Sequence, residues 1–297
     1  MKTNQFISLH GGHSGQFCDH AKDSLEDIIR AYVAKGFKVV GISEHMPMPS
    51  DDLRYPDEIE LGVTVADLKK RFAQYFETLN QLKRKYQDQI TIYRGFETEM
   101  VTGSLDLAKQ FIQEFEPDYI VGSVHHVNDR CFDYSQTLYE SIIQHCGSVE
   151  AMYLNYFDAQ FEMIQTLRPF VVGHFDIIRI YDKDYINRLE RPAVKEKIQR
   201  NLKLIKTLGL VLDYNQRPLA RGEKYPYLAP TILKLAKAMG IRMVPGDDSH
   251  GAAQAGGFIA EAVNTLEELG VSTQWPIPRL MPRDDSPQPA STTKDAF

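Results

Sequence analysis

The chain has 297 residues, with 43% hydrophobic and 25% charged side chains and a formal net charge of −6. This composition is typical of a globular protein with a substantial buried core. The acidic balance argues against a nucleic-acid partner, whose binding needs a basic face, and no apolar run reaches the roughly 20 residues of a membrane-spanning helix. The three cysteines form no CxxC motif, so no disulfide framework or cysteine zinc site is indicated. We therefore expect a cytoplasmic protein without nucleic-acid or membrane partners.

Short apolar runs alternate with longer amphipathic segments along most of the chain. The pattern predicts strands at 6–10, 38–43, 90–95, 119–123, 170–174, 210–214 and 242–247. It predicts helices at 24–35, 63–87, 105–115, 138–146, 150–167, 193–208, 229–239 and 258–269, with Asp23 as the cap of the first. Seven strand–helix repeats favour a closed or nearly closed barrel over an open doubly wound sheet.

The barrel is expected to occupy residues 1–280 as a single domain. The remaining residues, 281–297, are rich in Pro, Ser, Thr and Asp and contain few apolar side chains. Such a segment cannot bury enough apolar surface to offset the entropy of ordering. We predict a disordered C-terminal tail there.

Eight of the nine histidines follow the ends of predicted strands, and the exception, His145, falls in a predicted helix. The eight are His10, His13, His20, His45, His125, His126, His174 and His250. Carboxylates follow the same strand ends, at Glu97, Glu99, Asp176, Asp213, Asp247 and Asp248. Since barrel active sites are built on the loops after the carboxyl ends of the strands, we expect these side chains to converge.

Imidazole and carboxylate side chains in this number are typical ligands of Zn, Fe or Mn, and they exceed what one catalytic metal takes. Two or three divalent ions are therefore expected. Clustered metals can activate a water and polarise a phosphoryl oxygen, which are the requirements of phosphoester hydrolysis. The sequence contains no GxSxG, GxGxxG or P-loop motif that would indicate a serine hydrolase or a nucleotide-binding fold.

Six motifs, "HSGQFCDHA", "SEHMPMP", "GFETE", "DYIVGSVHH", "VGHFD" and "GDDSH", give the chain a resemblance to the PHP (polymerase and histidinol phosphatase) superfamily. The resemblance runs from about Ser8 to Gly257 and is strongest to its histidinol-phosphate phosphatases. It implies a distorted, TIM-like (βα)7 barrel with a di- or trinuclear metal centre. The ligands that it implies are His13, His20, His45, Glu97, His125, His174, Asp248 and His250. It makes Glu97 the bridging carboxylate and Glu97, Asp248 and His250 the catalytic residues.

The first motif departs from the family pattern. The family has HxH at the end of the first strand, whereas this chain reads "HGGH", which puts Gly11 at the place of the first imidazole. We expect His10 to replace it, because two adjacent glycines allow backbone conformations closed to other residues. The alternative is a centre that lacks one ligand.

A phosphate ester needs positive charge beyond the metals. Four residues are predicted to bind substrate: Arg221, Arg217, Arg179 and His126. In the family a basic residue after the sixth strand contacts the phosphate, which favours Arg221. Asp176 could orient His174, and Cys18 is expected to be a packed side chain rather than a ligand.

The resemblance implies hydrolysis of L-histidinol phosphate to L-histidinol and phosphate, a step of histidine biosynthesis. Two alternatives stay open. One is a phosphatase or phosphodiesterase of the same superfamily that acts on another small phosphate ester. The other is a metal-binding regulatory protein with a damaged centre, which the glycine at position 11 motivates.

Overall fold

A computed structural model describes residues 6–282. In chain order the strands are β1 Ile7–Ser8, β2 Val39–His45, β3 Thr91–Glu97, β4 Val121–Gly122, β5 His126–Val127, β6 Arg130–Cys131, β7 Val171–Val172, β8 Val211–Asn215 and β9 Arg242–Gly246. The helices are α1 Leu25–Ala34, α2 Pro56–Glu60, α3 Val65–Lys85, α4 Ser104–Phe115, α5 Gln136–Cys146, α6 Val149–Leu167, α7 Tyr185–Leu189, α8 Pro192–Leu208, α9 Arg217–Ala220, α10 Pro230–Ala238 and α11 Ile259–Glu268. Short 3-10 turns cover Asp51–Leu53 and Ile177–Arg179.

Seven strands form one parallel sheet in the order β1-β2-β3-β4-β7-β8-β9. The two outer strands of this order meet, because Leu9 N donates to Pro245 O at 3.2 Å and Asp248 N donates to His10 O at 2.9 Å. The sheet therefore closes on itself as a nearly complete barrel. The predicted seven-stranded barrel is confirmed, and the open sheet is excluded.

Apolar side chains fill the inside of the barrel at the end opposite to the histidine-containing strand ends. Tyr119 crosses this space, and its hydroxyl donates to Leu9 O at 2.9 Å. Glycines in two strands make room for it, since a Cβ on Gly41 would lie 2.2 Å from the Tyr119 hydroxyl and one on Gly95 would lie 2.7 Å from its ring. The packed cluster comprises Ile7, Leu9, Tyr119, Val121, Phe170, Val171, Val211 and Val244. Apolar side chains occupy this end of the barrel, so the polar site lies at the other end.

Helices cover the outside of the barrel with their apolar faces. The longest, α3, buries seven side chains spaced three or four residues apart, from Val65 to Leu82, and turns its charged face to solvent. Thr64 caps it in a reciprocal pair with Asp67. Within residues 6–282, no helix is both long and apolar enough to cross a membrane.

Several sequence predictions need correction at this level. The first helix is capped by Ser24, whose hydroxyl accepts from Asp27 N at 3.2 Å, and not by Asp23. Asp23 has a left-handed backbone with φ of 67°, and its carboxylate accepts from Ala252 N at 2.8 Å. The pattern also missed the hairpin β5–β6 and the short helices α2, α7 and α9, whose few residues carry no clear periodicity. Nearly all of the tail predicted as disordered, from residue 283 onward, lies outside the described residues.

Candidate metal centre

Glu97, the last residue of β3, lies at the middle of the polar end of the barrel and is almost fully buried. Its Oε1 is 2.9 Å from His174 Nε2, and its Oε2 is 3.3 Å from His10 Nε2. Ring nitrogens of five imidazoles lie within 3.5 Å of its two oxygens: His10, His13, His45, His125 and His174. Five separate strand ends supply this one cluster.

Asp248 and His250 enter the cluster from the loop after β9. Asp248 Oδ1 lies 3.3 Å from His13 Nε2, and the residue has a left-handed backbone with φ of 46°. Such a conformation is unfavourable for a residue with a side chain and is retained here by the hydrogen bond from Asp248 N to His10 O. His250 Nδ1 donates to Asp248 O at 3.0 Å, so the lone pair of its Nε2 stays available.

His20 lies at the rim of the cluster. Its ring centroid is 5.1 Å from that of His250 and 5.5 Å from that of His45, and about a third of its side chain is exposed. The Cys18 thiol is buried and lies 3.2 Å from His20 Nε2, and its sulfur is within 4.8 Å of donor atoms of His20 and His45. The structure therefore brings together all nine side chains predicted as ligands, which are His10, His13, His20, His45, Glu97, His125, His174, Asp248 and His250.

The "HGGH" segment reaches the centre with both of its imidazoles. A Cβ on Gly11 would lie 2.2 Å from Gly41 O, and one on Gly12 would lie 2.6 Å from Ser249 Oγ. Only a backbone without side chains passes through this gap between β2 and the loop after β9. His10 lies in the cluster, with its Nε2 3.3 Å from Glu97 Oε2.

Buried carboxylates hold the far nitrogens of two of the imidazoles. Asp213 Oδ2 lies 2.7 Å from His10 Nδ1, and Glu99 Oε2 lies 2.9 Å from His125 Nδ1. Glu44 Oε2 is farther from His13 Nδ1, at 3.5 Å, and neither of these two atoms makes a hydrogen bond among the described residues. A carboxylate behind an imidazole fixes its tautomer and orientation, which is the usual arrangement behind histidine ligands of metals.

The donor atoms fit divalent metal ions. His10 Nε2, His13 Nε2, His45 Nδ1 and Glu97 Oε2 are buried without a hydrogen-bond partner among the described residues, although buried polar atoms are nearly always satisfied. Several sets of three donor atoms lie within 4.8 Å of one another, including those of His10, His13 and Glu97 and those of His10, His174 and Asp248. Cations at these points would satisfy atoms that make no hydrogen bond among the described residues.

Charge in the cluster keeps the carboxylates ionised. Burial alone would raise the pKa of Glu97, but the imidazoles of His10, His45 and His125 outweigh it and hold this pKa well below its ordinary value. The pKa of Asp248 is likewise lowered, against the effect of burial, by His10 and His13. Burial, followed by the charge of His13, lowers the pKa of His250 well below 6.5, so this imidazole is neutral and able to bind a cation.

A cavity of about 250 Å³ opens onto the cluster. Arg217 lines it from α9, with its backbone N–H on Asn215 Oδ1 at 2.9 Å, and Arg221 lines it from the turn that ends α9. The sequence analysis missed three polar lining residues, Tyr55, Asp133 and Tyr134, because they belong to no motif and follow no barrel strand. Two predicted phosphate-binding arginines and an unpredicted carboxylate thus face the same space as the metal-binding atoms.

Arg179 does not reach this cavity. Its side chain is 1% exposed, and its Nε donates to Asp176 Oδ2 at 3.1 Å and its Nη1 to Glu223 Oε2 at 2.9 Å. The remaining nitrogen, Nη2, donates to the carbonyl oxygens of Tyr225 and Pro226. With its donors engaged, Arg179 anchors the segment after α9 instead of contacting substrate as predicted.

His126 and Asp176 are also placed differently from the expectation. His126 lies in β5, where its Nδ1 is 3.5 Å from Glu99 Oε2, and it lines clefts on the side of the barrel rather than the central cavity. Asp176 accepts from the backbone N–H groups of Leu228 and Ala229 at 2.7 and 2.9 Å. Its carboxylate therefore positions that segment and not the imidazole of His174.

A seven-stranded βα barrel with imidazoles and carboxylates clustered at the carboxyl ends of its strands is the architecture of a metal-dependent hydrolase. Residues 10–217 match the PHP domain family. The chain belongs to this family.

Related proteins cover nearly the same length. The chain is 36% identical to the "Probable histidinol-phosphatase" of Schizosaccharomyces pombe, over 90% of this chain and 88% of the relative. It is 28% identical to the "Histidinol-phosphatase" of Saccharomyces cerevisiae, over 83% of this chain and 84% of that protein. Among solved structures, histidinol phosphate phosphatase from Lactococcus lactis, crystallised with Zn, L-histidinol and phosphate, has the same fold. It superposes with a TM-score of 0.64 at 17% identity, over 90% of this chain and 95% of that one.

Proposed function

We propose that the chain is a metal-dependent phosphomonoesterase that hydrolyses L-histidinol phosphate to L-histidinol and phosphate, and that it serves histidine biosynthesis. The observation that carries the proposal is the cavity in which the imidazole–carboxylate cluster meets Arg217 and Arg221. The names of the fungal relatives, together with 36% identity to one of them, support the choice of substrate.

The nine clustered side chains would hold two or three divalent cations, of Zn, Fe or Mn type. Glu97 is the proposed bridging ligand, since imidazoles approach both of its oxygens. His10 is the proposed replacement for the first imidazole of the family's HxH motif. When bound, the cations would supply Lewis-acid stabilisation of the phosphoryl group and an acidified water as the nucleophile.

The protein's own groups hold the substrate in the cavity. Arg217 Nε is buried without a partner among the described residues and suits a phosphoryl oxygen. Arg221, at the mouth, would take a second oxygen with its planar guanidinium. During hydrolysis, the oxygen of water bonds to phosphorus, the bond from phosphorus to the alcohol oxygen breaks, and the departing alkoxide takes a proton from solvent at the open side.

Asp133 is the proposed recognition group for the cationic part of the substrate. L-histidinol phosphate carries an ammonium group and an imidazole besides its phosphate. Asp133 lines the cavity, and its Oδ1 accepts from the Cys131 thiol at 3.2 Å. A carboxylate in this position favours a substrate that is anionic at one end and cationic at the other.

The test is phosphate release by the zinc-, manganese- or iron-loaded protein from a panel of monoesters. We expect kcat/KM for L-histidinol phosphate to exceed that for glycerol phosphate and for an aryl phosphate without a cationic group by about 100-fold or more, equivalent to about 2.7 kcal/mol. Preference for another ester would contradict the proposed substrate. Absence of turnover with every ester and metal would contradict the proposed chemistry.

A substitution separates recognition from chemistry. Asp133→Asn should lower kcat/KM for L-histidinol phosphate by about 10-fold, as for the loss of one charge-assisted contact. It should leave kcat/KM for the aryl phosphate unchanged, because that ester has no cationic group. An equal loss of kcat/KM with both esters would show that Asp133 does not bind the cationic group of the substrate.

A further inference from the structure

Asp213 is a fully buried carboxylate beneath the metal-binding cluster, in the middle of β8. Its Oδ2 lies 2.7 Å from His10 Nδ1 and 3.2 Å from His174 N, and it accepts from Asn215 Nδ2 at 2.8 Å. Its Oδ1 has no hydrogen-bond partner among the described residues. The side chain is enclosed tightly, since a Cβ on Gly246 would lie 2.1 Å from Oδ1.

This carboxylate decides which nitrogen of His10 faces the cluster. A carboxylate at 2.7 Å requires a proton on Nδ1, which leaves Nε2 as the atom directed at Glu97 Oε2, 3.3 Å away, and at Asp248 Oδ1, 4.0 Å away. The same oxygen of Asp213 holds the backbone of His174, whose Nε2 is 2.9 Å from Glu97 Oε1. Asp213 therefore contacts two candidate ligands, the ring of His10 and the backbone of His174.

The main chain around His10 is held by contacts that do not involve the imidazole. Gly11 N donates to Gly41 O at 3.0 Å, and His10 O accepts from Asp248 N at 2.9 Å. Neither contact reaches the ring, whose direction is set by the carboxylate of Asp213 at Nδ1.

We propose that Asp213 is a positioning residue that fixes the tautomer and direction of His10. The proposal rests on the metal-binding role of the cluster argued above. Asp213 touches neither the cavity nor the substrate, so it acts only through the ligands that it holds.

The test variant is Asp213→Asn, which preserves the shape of the side chain and removes its charge. We expect the zinc affinity of the purified protein to fall by about 10- to 100-fold, the usual effect of removing a carboxylate behind a metal-binding imidazole. The matched control is Asp118→Asn, because Asp118 is a partly buried carboxylate that accepts from Arg94 N and Lys83 and contacts no candidate ligand. The control should keep the wild-type zinc affinity.

A double-substitution cycle shows whether Asp213 acts through His10. The amide oxygen introduced by Asp213→Asn can still accept from His174 N. If Asp213 acts through His10, His10→Ala combined with Asp213→Asn should therefore lose no more zinc affinity than His10→Ala alone. Additive losses would overturn the proposal, as would unchanged affinity in Asp213→Asn. The result is independent of the proposed function, because wild-type zinc binding and phosphate release are measured separately and their absence would contradict that function instead.

A measurement on the unmodified chain covers the case in which Asp213→Asn does not fold. Nitrogen NMR of the zinc-loaded, histidine-labelled protein should show His10 with a proton on Nδ1 and with Nε2 bound to the metal. Coordination of His10 through Nδ1, or a proton on its Nε2, would overturn the proposal.

Discussion

His125 and His174 point their Nε2 atoms at each other across 3.2 Å, and both atoms lie within 3.3 Å of Glu97 Oε1. Glu99 accepts from the other nitrogen of His125 at 2.9 Å, so a neutral His125 would turn a lone pair toward the Glu97 carboxylate. Either a second proton on His125 or a cation must lie at this point. Each other imidazole nitrogen that faces a carboxylate in the cluster likewise needs either a proton or a cation between the two atoms.

Replacing the central carboxylate should abolish activity. Glu97→Gln keeps the size of the side chain but removes the charge that faces five imidazoles, and we expect kcat to fall at least about 1000-fold, or about 4 kcal/mol. Bound metal, measured by elemental analysis, should fall as well. The matched control is Glu196→Gln on the exposed face of α8, which should retain wild-type activity. Near-normal turnover in Glu97→Gln would reject its role as a bridging ligand.

Metal binding should release protons and strengthen as the pH rises. Burial lowers the pKa of His10 and of His125, but the carboxylates around them outweigh burial and raise both above the ordinary value of 6.5. Below these raised pKa values each imidazole must lose a proton before it binds a cation, so affinity is lost as the pH falls. Calorimetric titration with zinc in two buffers of different ionisation enthalpy measures the protons released. Zinc binding without proton release would contradict the raised pKa values of these imidazoles.

Removal of the metals should also destabilise the fold. A ligand that binds only the native state at 100 times its Kd adds about 2.7 kcal/mol to the free energy of unfolding. Treatment with a chelator should therefore lower Tm and abolish phosphatase activity, and added zinc or manganese should restore both. A chelated protein with unchanged Tm and activity would show that the cluster holds no functional cation.

Substitutions of Arg221 and Arg179, two of the three arginines predicted to bind substrate, should have different effects. Arg221→Ala should lower kcat/KM by about 10- to 100-fold, mainly through KM, because a hydrogen bond to a charged group contributes about 1.5–3 kcal/mol. Its Tm should stay unchanged, since Arg221 is exposed at the cavity mouth. Arg84→Ala on the exposed face of α3 is the control for kinetics.

Arg179→Ala should instead act on stability. It leaves the buried Asp176 and the half-buried Glu223 without their cation, and breaking a buried pair typically costs about 3–5 kcal/mol. We expect a large fall in the denaturant midpoint, whereas Arg30→Ala, which removes an exposed arginine 3.9 Å from Asp27, should change it little. A stable Arg179→Ala protein with a raised KM would restore the role expected from the sequence.

Glu58 should make stability fall with rising pH. Burial raises the pKa of Glu58 to about 7, against the effect of the Tyr55 N–H that it accepts. Because its folded-state pKa lies above the ordinary value of 4.5, ionisation penalises folding between these two values and above them. Glu58→Gln should therefore raise Tm at pH 8 and leave it unchanged at pH 4. Glu60→Gln, on the exposed end of the same helix, is the control.

The sequence by itself determined the barrel and the convergence of histidines at one end of it. Strand–helix alternation predicts parallel strands, and the carboxyl ends of parallel strands meet on one face. Residues as distant in the chain as His13 and His250 therefore had to become neighbours, and their ring centroids are 4.8 Å apart. This inference needs only the positions of strand ends, which the short apolar runs between amphipathic segments reveal.

Side-chain direction was decided only by the tertiary structure. His125 and His126 are adjacent, yet one joins Glu97 and the other turns to the side of the barrel, because successive residues of an extended segment point to opposite faces. Arg179 donates to acceptors in the segment after α9, about 45 residues further along the chain. Asp133, which follows the unpredicted hairpin, lines the cavity. Such outcomes depend on which partners the completed fold brings within hydrogen-bond distance, and no local pattern encodes that competition.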